Sequence, residues 1–182
     1  GRISEEKGLL HLVRCFPKVL EQVPGARLRI GGVAFTARGE AYLKLVEGEI
    51  TALGLTGNLE FVGEVTDART FLEEADVVAL PSEKEGLGQV MLEAMAMGKA
   101  LASFASGGPT EVISDQENGL IVPVGDTAGL AAAIARLLKD PLLAKRLGLA
   151  ARRTVVDSYS SEKLTPQLAD IYSDICPRSG LE

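Results

Sequence analysis

The chain has 182 residues and is 46% apolar, enough to bury a sizeable core, and no apolar run reaches the roughly 18 residues of a membrane span. Its net charge of −6 and pI near 5.0 argue against a nucleic-acid binder, which carries a basic face. One histidine, His11, and two cysteines without ligand spacing, Cys15 and Cys176, exclude a metal centre built from those residues and point to reduced thiols in a cytoplasmic setting.

Aromatics are only 4%, Trp is absent and Gly occurs 20 times, a composition suited to alternating strands and helices with Ala, Val, Ile and Leu cores. Gly1-Arg2-Ile3 reads as the end of a strand or linker. Ser4 is placed to cap a helix running to Val23, with Leu9, Leu12, Val13, Phe16, Val19 and Leu20 at helical spacing and Pro17 expected to bend or break it. Residues 26–30 alternate as a strand, closed by Gly31-Gly32. Residues 38–53 form a second helix with Tyr42, Leu45, Val46, Ile50 and Leu53 on one face.

A strand follows at 59–63, then a short helix capped by Thr66 or Asp67 and a strand at 76–80. Residues 100–104 and 119–122 are further strands, with one helical turn at 110–114 between them. Helices close the chain: one capped by Asp126 or Thr127 through Leu138, one from Asp140-Pro141 to about Val156, and one from Ser160 to Ile175 interrupted near Pro166. This rhythm predicts an α/β fold, a Rossmann-like doubly wound parallel sheet with C-terminal helices. Residues 1–175 form the domain and 176–182 a tail, in which Leu181-Glu182 reads as a vector scar; the chain reads as a piece of a longer protein.

The chemistry concentrates between Leu80 and Gly98. The apolar run Val77-Val78-Ala79-Leu80 is a buried strand, Pro81-Ser82 ends it, and Gly86 and Gly88 open a helix that stops at Gly98. A turn followed by a helix N-terminus offers free N–H groups and a positive dipole end, which suits a phosphate. Glu85 and Glu93 flank the turn, roughly 12 Å apart were the segment fully helical. An ordinary βα turn with two surface glutamates has the same spacing. Arg2 and Lys7, either side of the first helix start, are a guanidinium and an ammonium able to hold a diphosphate, or simply two solvated cations. Ser106-Gly107-Gly108 is a phosphate loop or a plain strand-ending turn, without the spacing of a dinucleotide or P-loop motif.

Gly1-Arg2 with Glu6-Lys7-Gly8, Ala75-Asp76-Val77-Val78, Pro81-Ser82, Glu85-Gly86-Leu87-Gly88, Leu92-Glu93-Ala94-Met95-Ala96 and Gly98 together resemble the donor half of family-four retaining glycosyltransferases of the GT-B fold. Gly107-Gly108, Glu111, Asn118-Gly119 and the Leu130–Leu138 helix continue the resemblance, in the family's order, across essentially residues 1–175. It implies that Arg2 and Lys7 hold the nucleotide's diphosphate, that Glu85 lies by the transferred sugar as the catalytic carboxylate, and that Glu93 binds ribose hydroxyls. The backbone of Gly86, Leu87, Gly88, Gln89 and Val90 would meet the sugar and distal phosphate, and Val62 the base.

The implied function is transfer of a hexose from a UDP-, GDP- or ADP-sugar to an acceptor, without metal or cofactor. The acceptor would be held by an N-terminal domain absent from this chain, and membrane association of the parent stays open. Leu87 stands where the family most often has Phe, Gln89 where it has an apolar residue, and Lys99-Ala100-Leu101 where Pro-Val is common. The alternatives are a nucleotide-binding regulatory module without transfer, or another GT-B enzyme such as an epimerase; a phosphorylase would need a pyridoxal-phosphate lysine, and none stands out.

Overall fold

The computed structural model describes residues 1–175. Five strands alternate with helices: β1 (Leu28–Gly31), β2 (Leu59–Gly63), β3 (Val77–Leu80), β4 (Ala100–Phe104) and β5 (Leu120–Val122). All strand pairings are parallel, as the α/β reading requires, and they fall into two sheets. In one, β1 pairs with β2, Leu28 opposite Leu59; in the other the order is β3-β4-β5, with Val77 opposite Ala100 and Ala102 opposite Leu120. The expectation was a single sheet, and among the described residues no strand pairing joins the two.

The residues of β4 explain the two-sided cover. Successive strand side chains point to opposite faces. Ala100, Ala102 and Phe104 therefore enter a core with α1 (Leu9–Gln22), α2 (Ala37–Ala52) and α6 (Thr127–Lys139), which supply Val13, Phe16, Val46, Leu130 and Leu137. Leu101 enters a second core with α3 (Ala68–Glu73), α4 (Gln89–Ala96), α5 (Gly108–Val112) and α7 (Pro141–Ser158), built on Leu72, Met91, Met95, Val112 and Ala151. Every residue of β4 is buried, so this strand lies at the heart of the layered structure.

Helix boundaries follow their caps. The side chains of Thr36, Asp67, Asp126 and Asp140 accept backbone N–H groups at the starts of α2, α3, α6 and α7. Ser4 does not cap: it precedes a single 3-10 turn, Glu5–Lys7, which Gly8 closes in the left-handed region at φ +67°, and α1 starts only after it. Pro17 does not end α1, because the apolar face holds the helix on both sides of the lost hydrogen bond: Val13 and Val19 are fully buried and Phe16 nearly so. On α2 the buried face is Tyr42, Val46 and Ile50; Leu45 is 62% exposed, because the buried ridge follows the four-residue spacing alone.

The last helix, α8 (Ser161–Ile175), runs through Pro166 without a break and has no buried residue, so the carbonyl that the proline leaves unpaired stays open to water. No helix among the described residues is long and apolar enough to cross a membrane.

Leu130 is fully buried between α6 and the β4 face. Leu130→Ala is expected to lower unfolding stability by about 3 kcal/mol at unchanged denaturant slope, read by urea titration. Burial pushes the Cys15 thiol from 9.0 up to about 12. Native Cys15 is therefore expected to react with a thiol reagent at pH 8 only at the rate of unfolding. Because the unfolded thiol ionises first, its contribution to stability is complete below about pH 9 and falls as pH rises toward 12.

Candidate functional site

The carboxyl ends of β1, β3 and β4 are drawn together by the chain's first eight residues and by two glycine turns. Gly1 donates its ammonium to the Gly31 carbonyl at 2.8 Å and Ile3 donates its N–H to the Val33 carbonyl at 2.9 Å, which fixes the start of the chain beyond β1. The 3-10 turn then reaches the end of β3, where the Glu83 N–H donates to the Glu6 carbonyl at 2.9 Å. A Cβ on Gly8 would stand 1.9 Å from the Pro81 carbonyl oxygen, so this approach, together with the positive φ, admits only glycine. Lys7 is thereby delivered to the turn after β3.

That turn carries Glu85. Lys7 Nζ donates to Glu85 Oε2 at 2.6 Å, and Ser82 Oγ donates to the same oxygen at 3.0 Å. The pair is partly buried, with side-chain exposures of 30% for Lys7 and 20% for Glu85. Glu85 Oε1 has no protein donor among the described residues. From the far side, the Gly108 N–H donates to the Glu85 carbonyl at 3.2 Å. A Cβ on Gly107 or Gly108 would come within 2.2 Å of the Glu85 carbonyl oxygen or 1.8 Å of the Gly86 carbonyl oxygen. The Ser106-Gly107-Gly108 turn is therefore a prop beneath the Glu85 loop, a role its sequence did not disclose.

α4 begins at Gln89, after Gly88 at φ +76°, so Gly86–Gly88 form the turn ahead of the helix instead of its first residues. The span of a fully helical 85–93 segment does not apply. No side chain caps α4 and no acidic residue lies in its first turn, so its leading N–H groups face the cleft without a protein partner for their dipole. A cavity of about 220 Å³ opens there, lined by Lys7, Ser82, Glu85, Gly88, Gln89 and Val90, with Leu80, Met91 and Pro109 as its apolar floor.

Of the residues singled out from sequence, Lys7, Glu85, Gly88, Gln89 and Val90 thus share one cavity. Gly86 and Leu87 are exposed on its rim-side loop. Arg2, Val62 and Glu93 do not line it. Glu93 is half-buried on α4 and, with Lys7, close enough to act on the Gly1 ammonium: burial lowers that group most, Lys7 lowers it further and Glu93 raises it. The exposed Arg2 makes no ion pair among the described residues, and Val62 is half-buried within β2. Sequence reasoning missed Ser82 as a second donor to Glu85, and its place three residues ahead of Glu85 was the available signal. A broader crevice of about 520 Å³ beside α1 and α2 has part of its polar lining already partnered, by the contacts His11–Glu83, Arg14–Glu49 and Arg38–Glu5.

The architecture is that of a doubly wound type of α/β domain, with its cleft at the carboxyl ends of parallel strands. The family model described as "Glycosyl transferases group 1" matches residues 1–154, and the chain belongs to that family. It is 36% identical over 165 residues to the lipopolysaccharide core biosynthesis glycosyltransferase LpsE of Rhizobium meliloti, a match covering 91% of this chain and 46% of that protein. The crystal structure of Anabaena Alr3699/HepE in complex with UDP-glucose superimposes with a TM-score of 0.89 at 25% identity, covering 96% of this chain and 47% of that one. The crystal structure of the C-terminal domain of a group 1 glycosyltransferase, LpcC of Francisella tularensis, is matched at TM-score 0.80 and 28% identity over 88% of this chain and 83% of that one. The chain spans about half the length of the curated relatives it matches.

Gly108→Ala is expected to displace the Glu85–Gly88 turn, because the new Cβ would overlap the Gly86 carbonyl. Shifts of the Glu85, Leu87 and Gly88 amide resonances, with those of α6 unmoved, check this by NMR.

Proposed function

We propose that the chain is the donor-binding half of a retaining glycosyltransferase that moves a hexose from a nucleoside-diphosphate sugar to an acceptor held by an N-terminal domain. The observation that carries the reading is the Lys7–Glu85 pair set at the uncapped N-terminus of α4, within one cavity. The HepE structures hold UDP, UDP-glucose, or UDP with glucose; for this chain UDP is the first candidate, with GDP and ADP as the others.

The chemistry follows from the charges. Lys7 and Arg2 bear on the diphosphate, and the leading N–H groups of α4 donate to its distal phosphate. Together they stabilise the negative charge that grows as the sugar–phosphate bond breaks, a task they perform without calling on a metal. Diphosphate binding draws Lys7 from Glu85 to the phosphates, so Glu85 turns its oxygens to the sugar hydroxyls while Ser82 keeps hold of one. Gly86, Leu87, Gly88, Gln89 and Val90 offer backbone to the sugar and distal phosphate. Glu93 accepts from the ribose hydroxyls, and Val62 borders the base. Retention of configuration, a hexose donor, metal independence and a cytoplasmic site belong to this reading.

The acceptor side lies elsewhere. α8 exposes Leu164, Leu168, Ile171, Tyr172 and Ile175, with spacings of four, three, one and three residues along one stripe. Such a stripe suits a helix that packs on the N-terminal domain.

Calorimetry with UDP, GDP and ADP on this chain tests the reading: heat of binding is expected for one of them, and none with any of the three overturns it. Glu93→Ala is expected to cost about 1–3 kcal/mol of nucleotide affinity through lost hydrogen bonds to a charged acceptor. Glu85→Gln removes both a competitor for Lys7 and a repulsive charge. Affinity for the bare diphosphate should therefore rise, while transfer by the full-length enzyme falls at least about 100-fold. Equal loss of both would remove Glu85 from the sugar side.

A further inference from the structure

α7 buries Leu143, Leu147, Gly148, Ala151 and Val155 and turns a patterned face to solvent. On that face Leu142, Leu149 and Val156 are 81%, 52% and 47% exposed. They follow one another at seven-residue steps, close to two helical turns, and so form one apolar ridge roughly 21 Å long. Lys145 and Arg152 repeat the same step along one side of the ridge, and Arg146 and Arg153 along the other; all four are exposed. The last turn of α6 adds Arg136 and Lys139 just ahead of it.

This is a one-signed face on an acidic chain. Residues 136–156 hold six Lys and Arg against one acid, Asp140, although the net charge of the whole chain is −6. None of the six makes an ion pair among the described residues, whereas Arg14, Arg29, Arg38 and Arg69 each hold a glutamate. Asp140 is occupied in capping α7, accepting the Leu143 N–H at 2.9 Å, and Arg146 reaches only the Gln116 carbonyl, at 3.4 Å. An ordinary solvated helix mixes signs, as α2 does with Arg38, Glu40, Lys44, Glu47 and Glu49. The exposed stripe of α8 runs the other way, accompanied by Glu162, Asp170 and Asp174 with Lys163 as its one cation.

A partner for the α7 face must offer dense negative charge and also receive three apolar side chains. A second copy set face to face would bring four cations against four, which repel. A nucleic acid would answer the cations, but the ridge holds no aromatic side chain on which a base could stack. A bilayer with anionic headgroups meets both needs. Its phosphates engage the two cationic rows, while the ridge sinks to the acyl boundary with the Lys and Arg stems snorkelling beside it. We propose that the outward face of α7 docks this protein on an anionic lipid surface, the helix lying in the plane of the interface. The attachment is peripheral, because the other face of α7 is committed to the core. It holds whichever nucleotide the cleft takes.

Flotation of this chain with vesicles tests the proposal, comparing phosphatidylcholine alone with an equal mixture of phosphatidylcholine and phosphatidylglycerol. Binding is expected on the anionic vesicles only, falling at least about tenfold between about 0.05 and 0.5 M salt. Arg152→Glu with Arg153→Glu should weaken it at least about 25-fold, at about fivefold per cation lost. The same charge change at two exposed lysines elsewhere, Lys18→Glu with Lys44→Glu, should cost no more than about threefold. Leu142→Ser with Leu149→Ser keeps every charge and should still weaken binding at least about tenfold. The chain has no Trp, so Leu149→Trp supplies a single reporter whose emission should shift to the blue on the anionic vesicles. No binding to those vesicles, equal losses from the two charge-reversed pairs, or binding that survives the loss of both leucines overturns the proposal. So does a concentration-dependent dimer abolished by the same leucine changes, since it assigns the ridge to a second copy.

Discussion

The arrangement of this domain depends on the passage of its first eight residues over the carboxyl ends of the strands. They bond to the Gly31 and Val33 carbonyls on one side and to the Glu83 N–H on the other. Only a residue without a Cβ can make the turn at Gly8, where the backbone presses against Pro81. Because that passage is fixed by backbone contacts, the two cations it carries are positioned by the fold itself. Lys7 meets Glu85, and Arg2 stays exposed without a carboxylate partner among the described residues.

The Glu85 turn is held by the same kind of constraint. Gly107 and Gly108 let β4's outgoing turn lie against the Glu85 and Gly86 carbonyls, at distances no side chain tolerates. The turn is thus gripped by backbone on one face and by Lys7 and Ser82 on the other, which preorganises it at little entropic cost when a ligand arrives. The donors gathered here are Lys7, held by Glu85, and the uncapped N-terminus of α4. Long-range attraction of an anionic ligand is weak at a net charge of −6, so recognition falls to these short-range donors.

Much of the architecture was legible because hydrophobic period and caps agreed. The alternation in β4, the Asp126 and Asp140 caps and the apolar faces of α1 and α6 all follow local rules. Four of the misreadings share one cause. Ser4, Pro17, Leu45 and Pro166 were judged by local propensity, and each was decided by what does or does not pack against it. At the site, Lys7, Glu85, Gly88, Gln89 and Val90 were visible as residue types around a turn. The prop function of Gly107 and Gly108 was not, since it depends on two segments some twenty residues apart touching backbone to backbone.

The open edge and the exposed stripe of α8 bear on the same point. The edge strands β1 and β3 are half-exposed and the last described helix buries nothing, which leaves two unsatisfied surfaces. One asks for backbone hydrogen bonds and the other for apolar contact, so a single partner surface cannot serve both.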